Sequence, residues 1–238
     1  MCRTPLLLRS ALTVLTVAGF ASIAQAQGGA QQEVEAIKAA MGQNAAAQRN
    51  YAWIQTTQMA LKGEVKSTTT SACQYTAGSN KPTCTQTSAP PEQKQQRGPI
   101  RKSVVASKTE DLTAYMDSVK ALVAQYVPPQ ASMIQAAQGR GDVATAPNPS
   151  NGTLTLTVNN YLQKGDAVII TVNQATHQVA HVAVNTWLND PSATVTLDVA
   201  FTTLPNGVSF ASTKTLTATA KEVVVTITDA NFALAVAQ

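Results

Sequence analysis

The two histidines of this 238-residue chain, His177 and His181, stand four residues apart in the stretch THQVAHVAVNTW. On a helix that spacing stacks two imidazoles on one face, where a zinc ion would take each nitrogen at about 2.1 Å. The residues that follow argue against a helix. VAVNTW is β-branched and alternating, the mark of a strand, and an extended chain would hold the two rings roughly 13 Å apart. No cysteine or carboxylate cluster stands beside them in the sequence, so neither a metal site nor a cofactor is expected. His181 shares its side of the strand with Asn185 and is expected to face water.

Other residues with chemical potential have plainer readings. Cys73 and Cys84 flank QYTAGSNKPT, a run of turn formers that lets two strands fold back and bring the sulfurs together. Zinc would need more thiols or a nearby histidine, and a redox pair is normally spaced CxxC. A structural disulfide is the expectation, worth roughly 3 kcal/mol on the chain-entropy model. Glu110, Asp111 and Asp117 are read near the start of a helix, where acids complement the dipole. Arg140-Gly141-Asp142 reads as a helix-terminating turn and Asn151-Gly152 as a turn, although Asn151-Gly152-Thr153 also matches a glycosylation sequon. No nucleophile elbow, phosphate loop or H-E-x-x-H motif is present. No catalytic residue is assigned, and a non-enzymatic protein is expected.

The chain opens with Arg3 and Arg9, an apolar run from Ala11 to Ile23, and Ala24-Gln25-Ala26. This is the pattern of a secretory signal peptide over residues 1–26, cut before Gln27. The run is short of the roughly 20 apolar residues a membrane span needs, so no stable membrane anchor is expected. Loss of Arg3 and Arg9 takes Lys+Arg from 17 to 15 against 13 Asp+Glu, a net charge near +2. The one basic run, Lys94 to Lys102, sits among prolines and glutamines, so nucleic-acid binding is not expected. A bacterial periplasmic or secreted location follows, and the oxidising compartment suits the cysteine pair.

These residues must be carried by few elements. Residues 31–48 show helical spacing through Val34, Ile37 and Met41. Residues 51–66 alternate, with Tyr51, Trp53, Met59, Leu61 and Val65 on one side and Gln58, Lys62, Glu64 and Lys66 on the other. Residues 67–88 read as an exposed hairpin, and 89–99 as a flexible loop. A helix is predicted over 107–127, capped by Ser107 with Glu110. Its apolar stripe is Leu112, Tyr115, Val119, Leu122, Val123 and Tyr126, and Pro128-Pro129 stops it. A second, over about 130–138, ends at Gly139. From residue 153 onward strands and turns alternate as an antiparallel meander. Val195, Leu197, Val199 and Phe201 point inward there, and Thr194, Thr196 and Asp198 outward.

YAWIQTTQMALKGEV, LVAQYVPP and NTWLNDPSATVTLDVAFTTLPNGVSF resemble a family of uncharacterised exported bacterial proteins. The order of helix, long amphipathic strands, helical hairpin and meander resembles the LolA/LolB-like lipoprotein-carrier superfamily. The resemblance implies one α+β domain over 27–238. In it a curved antiparallel sheet, a half-barrel, would carry a helical hairpin on its concave face behind an N-terminal helix. It also implies a hydrophobic ligand, a lipid, acyl chain or lipidated partner, between the two layers. Trp53, Met59, Leu61, Tyr115, Val119 and Leu122 are the side chains placed to line such a site. With tight layers the same residues are plain core, and the chain is a structural or protein-interaction module of the envelope. Oligomeric state is not legible.

Overall fold

The computed structural model describes residues 36–76, 79, 81–88 and 99–235. The predicted signal peptide, and the predicted loop apart from Pro99, lie outside the described residues. Among the described residues ten antiparallel strands form a single open sheet. In chain order they are β1 Tyr51–Leu61, β2 Glu64–Tyr75, β3 Pro82–Gln86, β4 Val143–Asn148, β5 Thr153–Asn159, β6 Ala167–Asn173, β7 Val179–Trp187, β8 Thr194–Thr203, β9 Ser209–Ala218 and β10 Val223–Leu234. The helices are α1 over 36–48, α2 Pro99–Val123 and α3 Ala131–Arg140. The sheet order is β3-β2-β1-β10-β9-β8-β7-β6-β5-β4. The last strand thus closes onto the first, and α2 and α3 link strands at opposite edges.

Alternation explains most of the sheet. Cross-strand partners share a face, so the register assigns every paired residue to one side. Val158, Val168, Val184, Leu197 and Leu216 stand in one continuous row across β5 to β9, with Val195 and Ala218 paired one step along the same face. The opposite side is largely threonine. Thr213, Thr228, Thr56 and Thr70 are mutual neighbours across β9, β10, β1 and β2. Threonine combines a β-branched body with a hydroxyl, which suits a strand face turned to water.

Several boundaries differ from those read in the sequence. The stretch 51–66 is two strands, because Lys62 and Gly63 both have positive φ, 56° and 77°, and form a two-residue turn. Such turns match the twist of paired strands. Val65 pairs with Ala60 and so leaves the side of Met59 and Leu61; it is 54% exposed. Helix α2 begins at Pro99, not Ser107. Ser107 and Glu110 therefore lie within the helix, and Glu110 and Asp111 are not in its first turn. Helix α3 ends at Arg140, with Gly141 left-handed at φ 79°; glycine carries this cap without a Cβ penalty. Strand β4 went unread because its side chains are nearly all exposed and it contains Pro147, which an edge strand tolerates.

The core falls into two parts. Val119 and Leu122 of α2, Tyr126 beyond it and Ala137 of α3 join Val158, Tyr161, Val168, Val184, Val195 and Ala218 in one buried cluster. The second comprises Tyr51, Val208 and Phe210, with Ala47 of α1, Leu204 and Phe232 against it.

Asp166 fastens the first cluster. It is 1% exposed and accepts the backbone N–H groups of Tyr161 at 2.6 Å, Leu162 at 3.0 Å and Gln163 at 2.8 Å. The Tyr126 hydroxyl donates to it at 2.6 Å and lies 2.8 Å from Thr186 Oγ1. Bonds to a charged acceptor are the strong kind, and removing it strands three backbone N–H groups and leaves the Tyr126 hydroxyl with Thr186 alone. Asp166→Ala is expected to cost roughly 3–4 kcal/mol, since each buried polar group left unpaired costs ~1–3 kcal/mol; urea melts check this. Burial, and then the bond to Asp166, push the Tyr126 phenol well above its usual range. The fold therefore favours neutral tyrosine, and that contribution is complete below the unfolded value of about 10 and fades as pH rises past it. The stability difference between the wild type and Tyr126→Phe is expected to shrink above that pH in melts run from neutral to alkaline.

Candidate functional site

The six residues expected to line a ligand site lie in different surroundings. Val119 and Leu122 are buried in the first cluster, and Tyr115 packs against it. Burial raises the Tyr115 phenol, whose buried oxygen has no partner. Met59 and Leu61 lie on β1. Leu61 pairs with Val223, which pairs with Ala218 of the cluster, so both β1 side chains face the helix side. They remain partly exposed there, as do Val225 and Ile227 on β10, and none of the four belongs to either cluster.

Trp53 sits further along the same side of β1, among aromatic rings. Its centroid is 5.7 Å from that of Tyr75, 6.3 Å from Phe210 and 6.4 Å from Phe232, and the last two stack at 4.2 Å. Trp53 is 7% exposed, and its indole N–H has no acceptor. Two positions after it along β1, at Gln55, the helix side holds a group the sequence reading missed. Lys214 of β9 donates to Asp229 Oδ2 of β10, and Gln55 Nε2 of β1 donates to Asp229 Oδ1 at 3.0 Å. Asp229 is 8% exposed, while the Lys214 side chain keeps 28% of its surface. Burial raises the nearby Tyr75 phenol, with Arg49 opposing the shift and Asp229 adding to it. Alternation in KTLTATA and VVVTITDANF was visible in the sequence. The pairing of Lys214 with Asp229 across β9 and β10 was not, because it depends on register.

The outer face carries the remaining candidates. His181 lies 2.8 Å from Asp198 Oδ2 there, and His177 sits in a turn with φ 54°. Among the described residues no group of three histidine, cysteine or acidic side chains is placed to hold a metal. Arg140 and Asp142 bond to each other at 2.8 Å, and both bond to Asn160, so that tripeptide is a tied turn. Asn151 Oδ1 accepts from the Thr153 hydroxyl at 2.7 Å, also within a turn. A shallow depression of about 320 Å³ lies over β10, β1, β2 and β3, lined by Ala52, Ile54, Ala72, Thr83, Thr85 and Ala233 among others.

Cys73 and Cys84 are bonded and directly opposite across β2 and β3. Every residue of β3 is exposed, so this edge strand has little packing to hold it beyond its ladder and the disulfide. Compared with known proteins, the chain matches no family model, no curated protein and no solved structure. Reduction, or the double change Cys73→Ser with Cys84→Ser, is expected to cost roughly 3 kcal/mol. Hydrogen exchange is expected to quicken in 82–86 while β5 to β8 keep their protection; uniform loss across the sheet would contradict a local role.

Proposed function

We propose that this is an exported, non-enzymatic protein of the bacterial periplasm that holds a hydrophobic ligand, an acyl chain or the lipid of a lipidated partner, against the helix side of its sheet. In this reading the sheet is a half-barrel and the α2–α3 hairpin covers its concave face, as the resemblance to the lipoprotein-carrier superfamily implies. One observation carries it. Met59, Leu61, Val225 and Ile227 form a contiguous apolar patch on the side where the core lies, yet keep part of their surface open. A face that buries Val158, Val168 and Val195 completely at one end leaves this end free to be covered by something else. Trp53 lies further along the same face, and Tyr115 is carried by the helix whose last turns pack on it.

The energetics suit a long chain. Burial at ~0.8 kcal/mol per methylene gives a dozen methylenes about 10 kcal/mol. Association costs roughly 4–15 kcal/mol, so short chains dissociate. A competing reading, a structural or interaction module of the envelope with a solid core, draws on the closed cluster around Val119 and Val184. The two part on ligand uptake. Protein purified without detergent is expected to release acyl-bearing molecules on extraction, detected by mass spectrometry. It should also take up a neutral naphthylamine probe with a rise in fluorescence. Met59→Asp and Val225→Asp are each expected to weaken probe binding about tenfold while far-ultraviolet circular dichroism keeps its β signal. A wild type that neither carries acyl chains nor takes up the probe supports the solid core.

A further inference from the structure

The helix side of the three central strands changes character along its length. Its first row is Ala218, Val223 and Leu61, and its second Leu216, Val225 and Met59. The third is Lys214, Ile227 and Thr57, and the fourth holds Asp229 and Gln55. Two apolar rows thus run into an ion pair with an attached amide. Beyond Gln55 comes Trp53, whose buried N–H has no acceptor. A strand face that only had to pack would gain nothing from this pair. Removing two charges from water is costly, and well-packed apolar residues do as well or better.

We infer that Lys214, Asp229 and Gln55 receive the head group of the bound amphiphile, and that this head is zwitterionic, an anionic phosphate beside an ammonium. The inference rests on the acyl-site reading above. The lysine ammonium has three donors and the carboxylate about four lone-pair sites. Their mutual bond and the Gln55 amide use one donor and two of those sites. The pair is neutral in itself, so within it a purely anionic head gains from Lys214 what it loses to Asp229, and a purely cationic head the reverse; the Arg49 charge, which reaches nearby Tyr75, adds to the attraction for the phosphate of a dipolar head. A dipolar head satisfies both, its phosphate oxygens toward Lys214 and its ammonium toward Asp229. An uncharged head leaves the spare charge-assisted positions dry once the chain excludes water. The apolar rows then lie under the acyl chain, and the head sits where β9 and β10 part.

Single-chain lipids of one chain length, below their micellar concentrations, test this by isothermal titration. The set is a lysophosphatidylethanolamine, a fatty acid, an alkylamine and a monoacylglycerol. The wild type is expected to bind the zwitterion about tenfold tighter than each of the others. The double change Lys214→Met with Asp229→Leu removes both charges together, so neither is left buried alone. It is expected to bind all four within about twofold, an inequality of no more than ~0.4 kcal/mol, while still binding the chain. Equal wild-type affinities, tightest binding of a head other than the zwitterion, or a preference that survives in the double variant overturns the head-group assignment and leaves the acyl site standing. A wild type that binds none of the four overturns the acyl site and this inference with it. The wild-type comparison stands alone if the double variant does not fold.

Discussion

The placement of two edge strands governs the rest of this fold. The chain leaves the sheet at β3 and re-enters at β4, on the far edge of ten strands. Nine inter-strand spacings of ~4.8 Å make about 43 Å measured along the sheet. A helix of 25 residues covers ~37 Å at 1.5 Å per residue. A connection of that length cannot stay in the plane of the strands, so it must take one side. The side it takes becomes the dry one, and the other is left to threonine. The apolar stripe of α2 and the inward valines of β5 to β8 are thus two consequences of the same crossing, and they meet around Val119.

The dry side is not uniform, and the register explains why. Strand β9 pairs with β8 along its whole length but with β10 only over 213–218. Beyond that point β10 continues with β1 alone. Where β9 and β10 separate, backbone groups and side chains need other partners. Helix α1 supplies some: Asn44 accepts from the Ser209 N–H at 2.7 Å and donates to the Ser209 carbonyl at 2.8 Å. Aromatic rings fill the remainder, Phe210 against Tyr51 at 5.3 Å and against Phe232. The Lys214–Asp229 pair sits at this fork. One end of the sheet is therefore held by close aliphatic packing and the other by rings, amides and an ion pair.

How much of this could be read from the sequence depended on whether the signal was local. ATVTLDVAF announces its own strand and both of its faces, and β8 is built that way. The cysteine pair flanking turn residues gave the β2–β3 hairpin and its bond, because the constraint spans only 11 residues. Turns with weaker signatures were missed. Lys62-Gly63 reverses the chain with no asparagine or aspartate to mark it, so one long alternation concealed two strands. The start of α2 was set too late because Ser107 and Glu110 imitate a cap within a helix that was already under way. Pairings of distant strands left no local trace at all. Neither the closing of β10 onto β1 nor the meeting of Lys214, Asp229 and Gln55 follows from any window of neighbouring residues.

The two ends of the helix side also bear on whether the open patch is a flaw in packing or a feature. Apolar residues on β10 and β1, namely valine, isoleucine, leucine and methionine, are as large as the valine, isoleucine and leucine of β6 to β8. Side-chain size therefore does not limit closure at this end. What differs is the cover: among the described side chains of α2, which run from residue 108, the buried ones begin at Met116. Residues 108–111 and 113–114 of the same helix are exposed. Lys108, Glu110 and Asp111 stand exposed just before Leu112, and charged side chains do not pack on an apolar face without partners. The contrast between the two ends of the face thus lies in what covers them rather than in the size of the residues on the sheet.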